Sequence, residues 1–207
     1  MREITKNNVQ KLIRGKPIPK SLENGFIASG WADHLPAVYA RSSELFACHA
    51  DAGRAKMIHL EQLLPMIAFY EETQKITGSR ESALAFFERW AFVEAEKMMK
   101  FARAAMKTGL YRLMPSLCGF MLDRMFGRAA GFDYRAVPGG RKFSVDMTRC
   151  PYVDTCLQHG CPELTQFSCR ADDLTYGSLH KNLVWARTKT LGMGGDCCDF
   201  RLHVRED

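Results

Sequence analysis

The sequence lacks any apolar run long enough to cross a bilayer, and its longest run, residues 63–70, is far shorter than the roughly 20 residues that a transmembrane helix needs. Residues 1–8 carry charge but have no apolar segment behind them, so a secretory signal is not expected. Apolar residues make up 46% of the chain and charged residues 25%, which argues against disordered and membrane proteins. These absences predict a cytoplasmic protein without a membrane partner.

The sequence also has no block of Lys and Arg and no motif that combines basic with aromatic residues. Its 29 Lys and Arg against 23 Asp and Glu give a formal charge of +6, but the basic residues are spread along the chain. Nucleic-acid binding normally shows a basic patch or a recognition motif. We therefore expect no nucleic-acid partner and interpret the surplus as mild attraction for small anionic substrates.

The pattern of apolar residues predicts helices first and strands last. After an N-terminal arm, 1–31, we expect a single α+β domain, 32–207, with a helical part, 32–131, and a Cys-rich α+β part, 132–207. Apolar residues recur at helical spacing from 33 to 49, from 55 to 76, from 79 to 109 and from 114 to 128. Pro65 should kink or split the second of these helices, and the third should be mostly buried.

The apolar spacing changes after residue 131. A β-hairpin is expected from 132–137 and 141–149, then two short helices at 152–158 and 163–179, and a last strand pair at 186–191 and 198–204. The predicted fold is a helical bundle followed by a small antiparallel sheet with short helices.

Six of the eight cysteines lie between residues 150 and 198. Cytosolic thiols are kept reduced, so thiol chemistry or metal binding is favoured over a disulfide scaffold. The spacings are C-x5-C, C-x4-C, C-x7-C and an adjacent pair, whereas a zinc ribbon needs two C-x-x-C knuckles.

Three of these cysteines occupy places where side chains can converge. Cys150 follows the second hairpin strand, Cys169 lies in the helix after it, and Cys198 follows a Gly-rich loop. Glu163 and Asp172 flank Cys169, and Asp172 shares its helical face. Such a cluster suits acid–base or nucleophilic chemistry, a zinc site made of Cys150, Cys169 and Cys198, or simply a core of small residues.

The C-terminal pattern resembles the family of L-2-amino-thiazoline-4-carboxylic acid hydrolases, and the likeness covers most of residues 55–204. The matching pieces are Cys150-Pro-Tyr152, Gly160 with Pro162-Glu163-Leu164, Cys169-x-x-Asp172, Arg187-Thr-x-Thr190-Leu191 and Gly194-x-x-x-Cys198-Asp199-Phe200-Arg201. Cys156, Cys161 and Cys197 are additional to the family pattern.

This resemblance implies hydrolytic opening of a cyclic amidine. Glu163 or Asp172 would then be the base, and Cys150, Cys169 and Cys198 the nucleophile or a thiolate–metal group. Arg187 or Arg201 would hold the substrate carboxylate. Thr190 and Asp199 complete the expected substrate-binding set.

The order of elements is also similar to the small-molecule-binding 4-vinyl reductase domains. That likeness keeps open a non-catalytic domain that senses a small molecule or a metal through the cysteine cluster. A structural zinc or redox module is a further alternative. Zinc is thus the one candidate cofactor, a small-molecule substrate the expected partner, and a homo-oligomer stays open.

Overall fold

The structure is a computed structural model that describes residues 6–12, 18–138 and 143–205. The chain divides into two compact units, Met1–Glu94 and Ala95–Asp207. The first unit is built of helices, whereas the second combines helices with an antiparallel sheet. The predicted α+β class is confirmed.

The helices of the N-terminal unit are α1 Lys6–Leu12, α2 Lys20–Ala28, α3 Leu35–Cys48, α4 Arg54–Thr77 and α5 Arg80–Trp90. Helix α2 lies within the segment that we expected to be an arm, and it buries Leu22 and Phe26 one helical turn apart. Helix α4 runs through Pro65 as one element and is not split. Burial of Leu64 and Ile67 beside Pro65 offsets the lost backbone hydrogen bond.

Gly25 allows an aromatic cluster to form inside the N-terminal unit. A Cβ atom at this position would lie 2.7 Å from the Trp90 ring and 2.8 Å from the Phe86 ring. Next to it, Phe26 meets Phe69 edge to face at 5.0 Å between ring centroids. A larger residue at position 25 would therefore push α2 away from α5.

The helices of the C-terminal unit are α6 Val93–Met106, which begins at the boundary, α7 Met114–Phe126, α8 Pro151–Gln158 and α9 Thr165–Tyr176. The single helix predicted from residue 79 to 109 is wrong, because the chain breaks it into α5 and α6 at residues 91 and 92. Ser79 does cap α5, accepting a hydrogen bond from the Ser82 N–H at 3.2 Å. The expected burial fails for α6, where Met98 and Phe101 are 72% and 80% exposed.

In the described part of the chain, four strands form one antiparallel sheet in the order β1-β2-β4-β3. The strands are β1 Asp133–Ala136, β2 Phe143–Arg149, β3 Leu183–Ala186 and β4 Cys198–Val204. The predicted hairpin is confirmed, and its turn lies partly outside the described residues.

The strand expected at residues 186–191 is wrong, because β3 ends at Ala186. The Asp199 carboxylate accepts hydrogen bonds from the N–H groups of Thr188 and Lys189, each at 2.9 Å. These two N–H groups therefore bond to a side chain instead of extending the strand.

The sheet places the ends of several elements close together. Strand β2 leads directly into α8 at Cys150, and β4 begins at Cys198 opposite Met147 of β2. Helix α9 packs against β3 and against the 3-10 turn Leu191–Met193. None of the described helices has the length and apolar character needed to span a membrane.

Candidate active site

Helix α9 provides one wall of the candidate site. Cys169, Asp172 and Tyr176 are three and four residues apart, so they share one helical face. Cys150 stands just before the first turn of α8, and Cys198 is the first residue of β4. The sulfurs of Cys169 and Cys198 are near enough to Cys150 that negative charge on either raises the Cys150 pKa. We call this group, Cys150, Cys169, Asp172, Arg187 and Cys198, the recess.

Burial keeps the recess thiols protonated at neutral pH. It raises the pKa of Cys150 to about 12 and that of Cys198 to about 11, and it also raises the pKa of Cys169. Hydrogen bonds oppose the effect without overcoming it, such as that from the Leu191 N–H to the Cys198 sulfur at 3.2 Å. Neutral thiols are weak nucleophiles, so the recess thiols are suited to donate hydrogen bonds rather than to attack.

Asp172 is the group in the recess that titrates near neutral pH. Burial raises its pKa to about 7, and the charge of Arg187 partly opposes this. The Asp172 side chain nevertheless keeps 42% of its accessible surface. Protein atoms thus surround the Asp172 carboxyl group closely, although solvent still reaches it, as is expected in a concave site. Because both of its protonation states are populated near pH 7, Asp172 is suited to general acid–base catalysis.

Arg187 is fixed in place by contacts on several sides. Its side chain is 5% exposed, and it donates hydrogen bonds to the Cys169 carbonyl at 2.9 Å and to Asp173 at 2.6 Å. A longer contact of 3.4 Å joins it to Asp172. The guanidinium carbon also lies 5.8 Å from the centre of the Trp185 ring and 5.6 Å from that of Phe200. Arg187 is therefore a rigid positive charge beside Asp172.

Two tyrosines near Asp172 were absent from the predicted site residues. Burial raises the pKa of both Tyr152 and Tyr176, and the charge of Asp172 adds to both shifts. The Tyr176 hydroxyl also donates to the sulfur of Cys118 on α7. The sequence signal for Tyr176 was its position four residues after Asp172 on a helix, which places it one turn further along the same face.

A surface groove of about 420 Å³ reaches the outer edge of the recess at Cys169 and Arg187. Glu163, Arg170, Asp173 and Met193 are among the other residues that line it. The charge of Glu163 raises the pKa of Cys156, whereas the charge of Asp172 raises the pKa values of Cys169 and Cys198. Both predicted carboxylates therefore lie near Cys169: Glu163 lines the groove beside it, and Asp172 acts on the pKa values of Cys169 and Cys198.

The predicted substrate-binding residues occupy different places. The Thr190 side chain is 3% exposed, accepts from the Met193 N–H at 3.2 Å and hydrogen-bonds to Cys169. Asp199 and Arg201 lie on the face of β4 opposite to Cys198, because side chains alternate along a strand. Arg201 there donates to the Val145 carbonyl at 2.8 Å and to Asp146 at 2.7 Å. The structure therefore places Thr190 next to the recess, and Asp199 and Arg201 on the other face.

Metal binding by the recess was predicted from residue type and order in the chain. Within residues 6–12, 18–138 and 143–205, no group of three or more His, Cys, Asp or Glu side chains has an arrangement that could hold a metal ion. Zinc bound by Cys150, Cys169 and Cys198 stays a prediction from the sequence.

Comparison with known proteins agrees with the resemblance seen in the motifs. The family model described as L-2-amino-thiazoline-4-carboxylic acid hydrolase matches residues 46–202, which include every residue of the recess. No curated protein and no solved structure matches the chain significantly. The family match spans well over half of the chain, so this protein belongs to the L-2-amino-thiazoline-4-carboxylic acid hydrolase family.

Proposed function

We propose that this protein hydrolyses L-2-amino-thiazoline-4-carboxylate or a close cyclic amidine, with Asp172 as the general base. The family match supports the substrate class. The observation that carries the residue assignment is the carboxyl group of Asp172, whose pKa burial raises to about 7 beside three neutral thiols and the fixed charge of Arg187.

The reaction needs one base and one proton donor. Asp172 takes a proton from water as the oxygen bonds to the ring carbon between sulfur and nitrogen, and it passes this proton to the ring nitrogen. Asp172 then takes the proton of the added hydroxyl group as the C=O bond forms and the C–S bond breaks, and it passes this second proton to the leaving sulfur. Water and the thiazoline thus yield an N-carbamoyl amino acid thiol, and Asp172 returns to its starting state.

The other recess groups stabilise charge during this cycle. The thiols of Cys150 and Cys198 are protonated, so they can donate hydrogen bonds to developing negative charge. Arg187 favours the ionised form of Asp172. Arg187 is also the better partner for the substrate carboxylate, because it lines the groove, whereas Arg201 bonds to Asp146 on the other face of the sheet.

A non-catalytic sensor is the second candidate function. It is supported by the raised pKa values of the three recess thiols, since a recess of neutral thiols can bind a small molecule without reacting with it. A sensor would be stabilised against heat by the thiazoline and would leave it intact.

Turnover of the thiazoline separates these functions. Purified protein is incubated with excess L-2-amino-thiazoline-4-carboxylate, and the carbamoyl thiol is quantified by mass spectrometry. We expect product from the unmodified protein and a loss of ~10²–10⁴-fold in Asp172→Asn, the range typical of a removed general base. Asp51→Asn, at an exposed position of the N-terminal unit, is the matched control and should keep full activity. Thermal stabilisation without product would establish the sensor, and undiminished turnover in Asp172→Asn would remove Asp172 as the base.

A further inference from the structure

Cys156 and Cys161 form a second pair of cysteines, which the proposed reaction does not use. Both are buried, with exposures of 0% and 2%. Gly160, in the left-handed conformation at φ +68°, turns the chain back after α8. The Cys161 N–H then donates to the Cys156 carbonyl at 2.9 Å, and the two thiols are hydrogen-bonded to each other. This turn brings the two sulfurs into contact.

The hydrogen bonds within this pair favour the thiolate of Cys156. The Cys161 thiol is the main cause of a lowered Cys156 pKa, which it achieves against the opposing effect of burial. A sulfur whose thiolate form is stabilised by a neighbouring thiol has the two requirements of a disulfide-forming site, namely a stabilised thiolate and a resolving cysteine.

The thiols of the pair and those of the recess respond to different side chains. The Cys156 pKa responds to Cys161 and Glu163, whereas the Cys169 pKa responds to Thr190, Arg187 and Asp172. Cys156 and Cys161 were also recognised in the sequence as additions to the family pattern. Their contact is therefore a property of this chain that hydrolysis in the recess does not explain.

We propose that Cys156 and Cys161 are a dithiol modification site, at which hydrogen peroxide produces an intramolecular disulfide. The Cys156 thiolate attacks one peroxide oxygen, the O–O bond breaks, and the proton that Cys156 gave up on ionising joins the leaving hydroxide, so that a sulfenic acid and one water result. The Cys161 sulfur then attacks the Cys156 sulfur, the S–O bond breaks, and the Cys161 proton passes to the leaving hydroxide to give a second water. Two thiols are oxidised to one disulfide while one peroxide is reduced to two waters. Peroxide is small and neutral, which suits two thiols with almost no exposed surface.

Differential labelling in the full-length protein tests this site. The reduced protein is exposed to a few equivalents of hydrogen peroxide, unfolded in iodoacetamide, reduced again and labelled with N-ethylmaleimide. Trypsin leaves residues 150–170 as one peptide that contains Cys150, Cys156, Cys161 and Cys169. Fragment ions of this peptide therefore compare labelling of the pair with labelling of the recess cysteines in the same molecule. We expect Cys156 and Cys161 to gain the N-ethylmaleimide label together, at least ~10-fold faster than Cys150. The reason is that Cys156 has the lower pKa, and each unit of pKa changes the thiolate fraction about tenfold.

Two variants complete the experiment. In Cys161→Ser no disulfide can form at this site, and Cys156 should instead be captured as a sulfenic acid by dimedone. Cys48→Ser, at an exposed cysteine of the N-terminal unit, should leave labelling of the pair unchanged. The proposal would be overturned if Cys150 gained the N-ethylmaleimide label before Cys156. It would also be overturned if Cys156 gained this label while Cys161 did not. Labelling is read without substrate, so the outcome is independent of whether Asp172 supports hydrolysis.

Discussion

The recess thiols and the pair Cys156–Cys161 are made of the same side chain, and both groups are surrounded by protein. Burial nevertheless raises the pKa of Cys150 to about 12, whereas the pKa of Cys156 is lowered. Burial acts in the same direction on both, and both sulfurs accept hydrogen bonds. The bonds from the Tyr152 and Val153 N–H groups do not outweigh burial at Cys150, whereas the bond from the Cys161 thiol does so at Cys156. For these thiols, the hydrogen-bond partner decides the ionisation state and burial alone does not.

This comparison assigns different chemistry to the two regions. In the recess the thiols stay neutral, and the carboxyl group of Asp172 is the one that titrates near pH 7. At the pair the thiol itself is activated, and the neighbouring carboxylate, Glu163, raises the Cys156 pKa without reversing that activation. Asp172, which is suited to acid–base chemistry, thus follows Cys161, which belongs to the pair suited to thiol chemistry, by about ten residues along the chain.

The largest expected effect separates the two carboxylates. Asp172→Asn should lower thiazoline hydrolysis by ~10²–10⁴-fold, because it removes the base. Glu163→Gln should have a much smaller effect on the same rate, since Glu163 lines the groove but its charge acts on the pKa of Cys156, whereas Asp172 acts on those of Cys169 and Cys198. Product formation by the two variants, measured side by side, decides between them. A larger loss in Glu163→Gln would reverse the assignment.

The next effect concerns the charge beside Asp172. Arg187 lowers the pKa of Asp172, so Arg187→Gln should raise it and move the ascending limb of the pH profile of kcat/KM to higher pH, by about one unit. Arg201→Gln is the matched control, because Arg201 bonds to Asp146 and to the Val145 carbonyl instead. Its profile should keep the midpoint of the unmodified protein. Equal shifts in both variants would show that Arg187 has no special relation to the base.

The smallest effect is on stability. The folded-state pKa of Asp172 is raised from 3.8 to about 7, so the folded protein binds the extra proton and loses stability as pH rises from about 4 to 7. Asp172→Asn removes this dependence. The melting temperature of the variant minus that of the unmodified protein should therefore increase between pH 4.5 and pH 8, by ~2–4 °C for each kcal/mol of stability that the unmodified protein loses. A difference that is constant across this range would mean that Asp172 is solvated normally.

Much of the C-terminal unit could be predicted from the sequence because its signals are local. Alternating residues indicated the hairpin β1–β2, and the spacing of Cys169 and Asp172 placed both on one face of α9. The proximity of Cys150, Cys169 and Cys198 followed from the order of the elements. The face of the sheet on which Arg201 lies could also be predicted. Arg201 is three residues from Cys198 on one strand, and side chains alternate between faces, so the two lie on opposite faces.

Other features depend on contacts that local patterns do not contain. The end of β3 is determined by the Asp199 side chain, which binds the N–H groups of Thr188 and Lys189. Helix α2 is stabilised by burial of Leu22 and Phe26, although the flanking prolines suggested an irregular arm. The contact of Cys156 with Cys161 needs the left-handed turn at Gly160, and the C-x4-C spacing alone did not predict it.

The ionisation of Asp172 itself is the most direct test, because the proposed base must titrate near neutral pH whatever the substrate. Carbon-13 NMR of the labelled protein follows the Asp side-chain carboxyl resonances with pH, and Asp172→Asn identifies the one that belongs to Asp172. We predict a midpoint near pH 7 for that resonance. A midpoint near 4, the ordinary value for an exposed aspartate, would contradict it.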